Sequence, residues 1–160
     1  MNEEVSILVV DDNQENLKVI SSFLKEKKYR IALATDGNGA FKVLENNKID
    51  LILLDIMMPG MDGFEVCRIL KEKPETSDIP VIFLTARTET DDIIRGFQIG
   101  GVDYITKPFK KEELYARVNN HIQLKLIRDY LVKCELDTKK SRDYFMRTLY
   151  ELGKIMDRNK

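Results

Sequence analysis

The sequence predicts an α/β fold: a five-stranded parallel sheet, doubly wound by helices, with an extended C-terminal helix. Three observations predict it. Short aliphatic or β-branched runs alternate five times with stretches of helical period, the pattern of repeated βα units with right-handed crossovers. The runs are apolar at nearly every position rather than at every second one, as in strands covered on both faces. From Lys111 no glycine or proline occurs until Gly153, so the last helix can outlast the domain.

The first strand is expected at Val5–Val10. Asp12-Asn13 then supplies turn and cap chemistry for a helix whose stripe is Leu17, Ile20, Phe23 and Leu24. Arg30–Ala34 reads as the second strand, followed by Asp36-Gly37 and a helix carrying Ala40, Phe41, Val43 and Leu44. The third strand, Leu51–Ile56, leads through Asp62-Gly63 into a helix with Phe64, Val66, Cys67, Ile69 and Leu70. Pro80–Thr85 is the fourth strand; Thr88-Glu89 caps a helix marked by Ile93, Ile94 and Phe97, and Gly100-Gly101 stops it. Asp103–Thr106 completes the sheet.

Beyond the fifth unit the helical pattern continues. With Leu124 as an a position, the a/d series is Leu124, Ile127, Leu131, Cys134, Thr138, Ser141, Phe145, Thr148, Leu152 and Ile155. Seven of the ten are apolar if Cys is counted, and the middle is polar. This fits a coiled coil. A break near Asp137–Ser141, with a second helix from Arg142 to Asp157, fits equally well. Residues 1–123 are therefore expected to form the domain and 124–160 a helical, coiled-coil-like extension or a linker to an output domain.

Composition narrows the function classes. No apolar run approaches the roughly 20 residues of a membrane helix, and the acidic Met1-Asn2-Glu3-Glu4 is unlike a signal peptide. Cys67 and Cys134 have no metal-ligand spacing; a reducing, cytoplasmic setting is expected. Residues 1–106 hold 12 basic and 19 acidic side chains, against 14 and 8 in residues 107–160. The basic tail is interspersed with acids and carries no base-reading motif, so no direct nucleic-acid binding is expected.

In an open α/β sheet, ligands bind at the C-terminal strand ends. Those ends carry Asp11-Asp12, Asp55, Thr85 and Thr106-Lys107-Pro108. Three carboxylates converging at one edge repel unless a cation lies among them, and an all-oxygen set suits Mg²⁺. Lys107 adds an ammonium and Thr85 a hydroxyl, and a carboxylate can attack: the parts of a phosphoryl-accepting site. Taken singly, Asp12 reads as a cap, Thr85 as a turn residue and Lys107 as a solvated charge. The joint placement carries the reading.

The pair Asp11-Asp12, the stretch Leu53-Leu54-Asp55-Ile56-Met57-Met58-Pro59-Gly60-Met61-Asp62-Gly63, the pair Thr85-Ala86 and the stretch Asp103-Tyr104-Ile105-Thr106-Lys107-Pro108-Phe109 resemble the response-regulator receiver family of two-component signalling, over roughly residues 4–123. The resemblance implies a flavodoxin-like (βα)5 fold of the CheY-like superfamily and a signalling switch rather than a turnover enzyme. It implies that Asp55 accepts a phosphoryl group from a sensor histidine kinase or phosphotransfer protein. Asp12, Asp55 and the Met57 backbone carbonyl would ligate Mg²⁺, with Asp11 holding it largely through water. Lys107 would pair with a phosphoryl oxygen, and the Lys107–Pro108 peptide would be cis. Thr85 would move toward the phosphoryl group, with Tyr104 swinging inward behind it. The face made by the fourth helix, fifth strand and fifth helix would be the output surface. There Asp91, Asp92, Arg95, Gln98, Asp103, Arg117 and Asn120 would either cross-pair in a homodimer, continued by the extended helix, or be plain solvated surface.

Other readings remain. A phosphohydrolase using Asp55 lacks its acid/base carboxylate, since Met57 stands two residues on. A receiver that has lost phosphorylation would not keep the full acidic and basic set. His121 reads as a helix-surface histidine, Cys67 as core and Cys134 as seam or surface. The chain reads as a fragment ending after its linker, or as a free-standing receiver with a helical appendage.

Overall fold

The structure, a computed structural model, describes residues 4–86 and 90–158, the side chains of residues 151–158 excepted. Its elements run β1 (Ser6–Val10), α1 (Gln14–Lys25), β2 (Arg30–Ala34), α2 (Gly37–Asn46), β3 (Leu51–Asp55), α3 (Gly63–Glu72), β4 (Val81–Thr85), α4 (Thr90–Ile99), β5 (Asp103–Thr106) and α5 (Lys111–Arg158). The sheet is parallel throughout, in the order β2-β1-β3-β4-β5. This is the doubly wound, flavodoxin-like fold with a long C-terminal helix. The expected cap at Thr88-Glu89 lies outside the described residues.

Alternation along the strands sends side chains to two cores. Ile7, Val9, Leu51, Leu53, Ile82, Leu84 and Ile105 face Leu17, Ile20 and Leu24 of α1 and Leu114, Val118 and Ile122 of α5. Leu8, Val10, Ile52, Leu54, Val81 and Phe83 face Ala40 of α2 and Phe64, Val66, Cys67 and Leu70 of α3. With β3 and β4 buried at every position, each large aliphatic side chain contributes about 1.5–3 kcal/mol. That is why these runs show no polar alternation.

The helix starts follow the cap chemistry. The Asn13 side chain accepts from the Glu15 backbone N–H at 2.9 Å, Asp36 from Gly39 at 2.7 Å and Asp62 from Glu65 at 2.8 Å, each worth about 1 kcal/mol. Gly100 ends α4 with φ +113°, a backbone that side chains rarely adopt.

Helix α5 is one helix from Lys111 to Arg158, so the break considered near Asp137–Ser141 does not occur. The Thr138 hydroxyl donates to the Cys134 carbonyl at 2.9 Å, a bond within the helix that satisfies the side chain without interrupting the turn. The chain divides into two units, Met1–Lys125 and Leu126–Lys160. Among the described residues of the second, Ile127, Tyr130, Leu131, Val132, Leu136, Tyr144, Phe145 and Met146 are exposed. No helix among the described residues is long and apolar enough to cross a membrane.

Two glycines contrast sharply. A Cβ on Gly63 would stand 2.2 Å from the Asp55 carbonyl oxygen and 2.8 Å from the Ile56 Cα, both backbone, whereas one on Gly39 meets nothing closer than 3.4 Å. Gly63→Ala should therefore destabilise the fold by about 3 kcal/mol. Gly39→Ala should be neutral or stabilise by up to about 1 kcal/mol. Urea unfolding of the two variants checks this; similar midpoints would contradict the packing of α3 on the end of β3.

Candidate functional site

The strand order puts β1 beside β3 and β3 beside β4, so residues far apart in sequence meet at one sheet edge. Asp11 follows β1, while Asp55 ends β3 in register with Leu84 of β4. Thr85, the last residue of β4, aligns with Thr106 of β5. Asp11, Asp55 and Thr85 are buried and Asp12 is exposed. One carboxylate oxygen from each of Asp11, Asp12 and Asp55 lies within 4.8 Å of the other two.

Lys107, held just past β5, closes the group. Its Nζ lies 3.0 Å from Asp11 Oδ2 and 3.1 Å from Asp55 Oδ1. The Lys107 backbone N–H donates to the Thr85 carbonyl at 2.8 Å, fixing the root of the side chain, and the Lys107–Pro108 peptide is cis. Backbone donors hold the two buried carboxylates: Asn13 to Asp11 Oδ1 at 2.9 Å, and Met57 to Asp55 Oδ1 at 3.3 Å. The Met57 side chain itself is exposed.

Sequence reasoning missed Asn16. Its amide donates to Asp11 Oδ2 at 3.1 Å, so the carboxylate that receives Lys107 is also held from α1. The available signal was its place in the first helical turn, five residues beyond Asp11.

These charges are crowded. Two carboxylates at this separation repel by about 3 kcal/mol at an effective dielectric of about 20. Burial first, and then the Asp11 charge, push the Asp55 carboxyl up to about 6 against the pull of Lys107. Burial opposes the Lys107 charge, yet its hydrogen bonds to Asp11 and Asp55 prevail and hold the ammonium above the ordinary lysine range. Three carboxylates and one ammonium leave a net charge of −2 within one small region. The set offers oxygen donors and no sulfur or imidazole, which suits a hard divalent cation.

Tyr104 is turned toward α4. Its hydroxyl donates into the carbonyls of Asp92 and Ile93, 2.8 and 3.0 Å away. Its ring lies 5.5 Å from Phe83 and 5.4 Å from Phe97. Several charges expected to be open for a partner are engaged within the chain. Arg117 binds Asp103 at 2.7 Å and Glu113 at 3.1 Å, and Arg95 lies over the Phe64 ring at 4.5 Å. His121 is not a surface histidine: its side chain is 13% exposed and Nε2 stands 3.0 Å from Asp103. It lies one turn beyond Arg117, so both reach the same carboxylate. Cys67 is buried, as expected of a core residue, and Cys134 is exposed.

Residues 7–119 match the family described as the response regulator receiver domain. The chain is 45% identical over 122 residues to the transcriptional regulatory protein YvrH of Bacillus subtilis (strain 168), covering 76% of this chain and 50% of that protein. It is 43% identical over 125 residues to the response regulator PleD of Caulobacter vibrioides, covering 78% of this chain and 28% of that one. The chain thus spans about half, or less, of the length of these curated relatives. Among solved structures, a two-component response regulator from Clostridium difficile superposes with a TM-score of 0.71 at 31% identity, covering 75% of this chain and 97% of that one. The strand ends that gather the acidic cluster and Lys107 all fall inside the matched span, and the chain belongs to the response regulator receiver domain family of two-component signalling.

Proposed function

We propose that this receiver domain is a phosphorylation-dependent switch in which Asp55 accepts a phosphoryl group from the phosphohistidine of a sensor histidine kinase or phosphotransfer protein. The observation that carries this reading is the Asp11–Asp12–Asp55 cluster with Lys107 spanning its two buried members. An Asp55 carboxylate oxygen attacks phosphorus, a P–O bond forms as the P–N bond to imidazole breaks, and the imidazole leaves carrying the nitrogen lone pair. The aspartate becomes an acyl phosphate. Asp12, Asp55 and the Met57 carbonyl, with Asp11 in support, would hold Mg²⁺, which when bound supplies positive charge beside the transferring oxygens.

The chain's own groups do the rest. Lys107, already on Asp55, keeps its ammonium beside the new phosphoryl oxygens, and the Thr85 hydroxyl offers a second donor. Such charge-assisted bonds contribute roughly 1.5–3 kcal/mol each, enough to shift a two-state domain whose states differ by a few kcal/mol. Tyr104, against Asp92 and Ile93, relays the change to the surface of α4, β5 and α5. The chemistry is transfer onto Asp55 and later dephosphorylation of the same residue, in which water attacks the acyl phosphate and the carboxylate leaves, so the domain itself is a phosphoacceptor rather than a turnover enzyme.

Residues 1–123 are read as the receiver and 124–160 as the helical extension that carries its output. Homodimerisation uses the α4-β5-α5 surface and the exposed apolar face of the extension. The pairing of Asp103 with Arg117 inside the chain means these two must exchange partners, or stay internal, when copies meet. Two unbridged cysteines are in keeping with a cytoplasmic setting.

Three measurements test the reading. Beryllofluoride with Mg²⁺ should bind the wild type, read by fluorine NMR, and not Asp55→Asn; equal uptake by both would discredit the acceptor. Beryllofluoride should also raise the sedimentation coefficient toward that of a dimer, and an unchanged monomer would remove dimerisation from the output. In chelator, pH reports on Asp55. The folded carboxyl, raised from 3.8 to about 6, binds its proton more tightly than the unfolded chain does. Ionisation therefore weakens the fold, and stability falls as pH rises through that window by on the order of 3 kcal/mol. Asp55→Asn should lack this fall and be the more stable protein at pH 7 in urea unfolding; a wild-type-to-variant difference that ignores pH would exclude burial as the cause.

A further inference from the structure

Helix α4 contains an interior glycine, Gly96, the one buried residue of that helix. Glycine inside a helix is disfavoured relative to alanine because it loses more backbone freedom on folding and adds no side-chain contact. Helix termination does not account for it, because α4 ends at Ile99 and Gly100 makes the stop. What lies beside Gly96 does. A Cβ built there would stand 1.8 Å from the Tyr104 hydroxyl oxygen, 2.8 Å from Tyr104 Cζ and 3.1 Å from Phe83 Cε2. No side chain can share that space with the tyrosine as it stands.

We propose that Gly96 is the positioning residue for Tyr104: the notch it leaves in α4 receives the phenol and seats its hydroxyl on the Asp92 and Ile93 carbonyls. Those two carbonyls belong to the turn that begins four and three residues before Gly96. The notch and the acceptors are therefore parts of one helical turn, and the tyrosine enters as a single fit. Two aromatic neighbours flank the ring, Phe83 tilted against it at 5.5 Å and Phe97 in a T-shaped contact at 5.4 Å. A second glycine supports the same packing, since a Cβ on Gly101 would fall 2.4 Å from Phe83 Cε2. Filling the notch leaves the phenol no room against α4, so Tyr104 must turn out of it while the sheet beneath can stay as it is.

The inference does not depend on Asp55 being a phosphoacceptor, and its test uses no phosphorylation. The chain has six tyrosines, so protein labelled with 3-fluorotyrosine gives a countable fluorine spectrum, in which Tyr104→Phe identifies the Tyr104 signal. Gly96→Ala should move that signal and leave the other five in place. It should also lower the urea midpoint in the wild-type background. With Tyr104→Ala the notch has no occupant, and the same Gly96→Ala change should raise the midpoint, as alanine normally does in a helix interior. If Gly96→Ala alone fails to fold, the double variant should fold. An unmoved Tyr104 signal would overturn the proposal, as would equal destabilisation in both backgrounds or a double variant that does not recover.

Discussion

Two buried carboxylates that share one ammonium set the terms for the rest of this domain. Asp11 and Asp55 stand at the ends of adjacent central strands, each with Lys107 about 3 Å away. Neither would be tolerated at full charge in an apolar interior without such a partner. Burial, and then the Asp11 charge, outweigh that partner and push the Asp55 carboxyl up to about 6 despite a lysine in contact. A fold built for stability alone would not end two central, largely buried strands in acids. The tolerated repulsion is what supports the proposed working edge, where local rules are broken and the rest of the molecule compensates. Here the compensation lies in β3 and β4, buried at every position.

How much of this was legible in the sequence depends on the reach of each interaction. The strands announced themselves because two-sided burial needs unbroken apolar runs. The caps at Asn13, Asp36 and Asp62 were legible because a cap bonds within three residues. The acidic cluster was legible for another reason: strand ends in such a sheet share one edge, so acids at several of them must meet. Asn16 was not, because a polar residue in a first helical turn is ordinary until the carboxylate it serves is located. The engagement of Asp103 by Arg117 and His121 was hidden too. It depends on where β5 lies against α5, and the sequence gives charges without giving their partners.

The long helix shows the limit of pattern reading in another way. Its first part is anchored by Leu114, Val118 and Ile122, four residues apart and all in the core. Further on, hydrophobic side chains are exposed, Tyr144 at 76% and Leu131 at 61%. The polar stretch around Thr138 and Ser141 resembles a break in a heptad series, yet the Thr138 and Thr148 hydroxyls both donate to carbonyls one turn back. A heptad scan weighs side chains only by their apolar character and cannot see hydroxyls satisfied by their own helix. Exposed aromatic and aliphatic surface on this scale needs cover in water, and that need is what the proposed dimer would meet.

Aromatic packing joins the acidic edge to the surface. Gly63 lets α3 begin directly against the Asp55 carbonyl, and the next residue is Phe64. Phe64 packs edge-on to Phe83 at 5.3 Å, Phe83 meets Tyr104, and Tyr104 meets Phe97 of α4. Contact alone does not make such a chain conduct a signal, because a close-packed series passes on a displacement only if some member has two arrangements. In the proposed switch Tyr104 is the member with two. Its neighbour Phe83 is buried and Phe97 is exposed, while its own hydroxyl rests on a helix carbonyl pair beside a glycine. A rigid tyrosine would need only a cavity, and many side chains could line one. The proposed switch has the tyrosine enter and leave along one turn of α4, which needs an opening with no side chain in it, and among the described residues of that helix Gly96 supplies it.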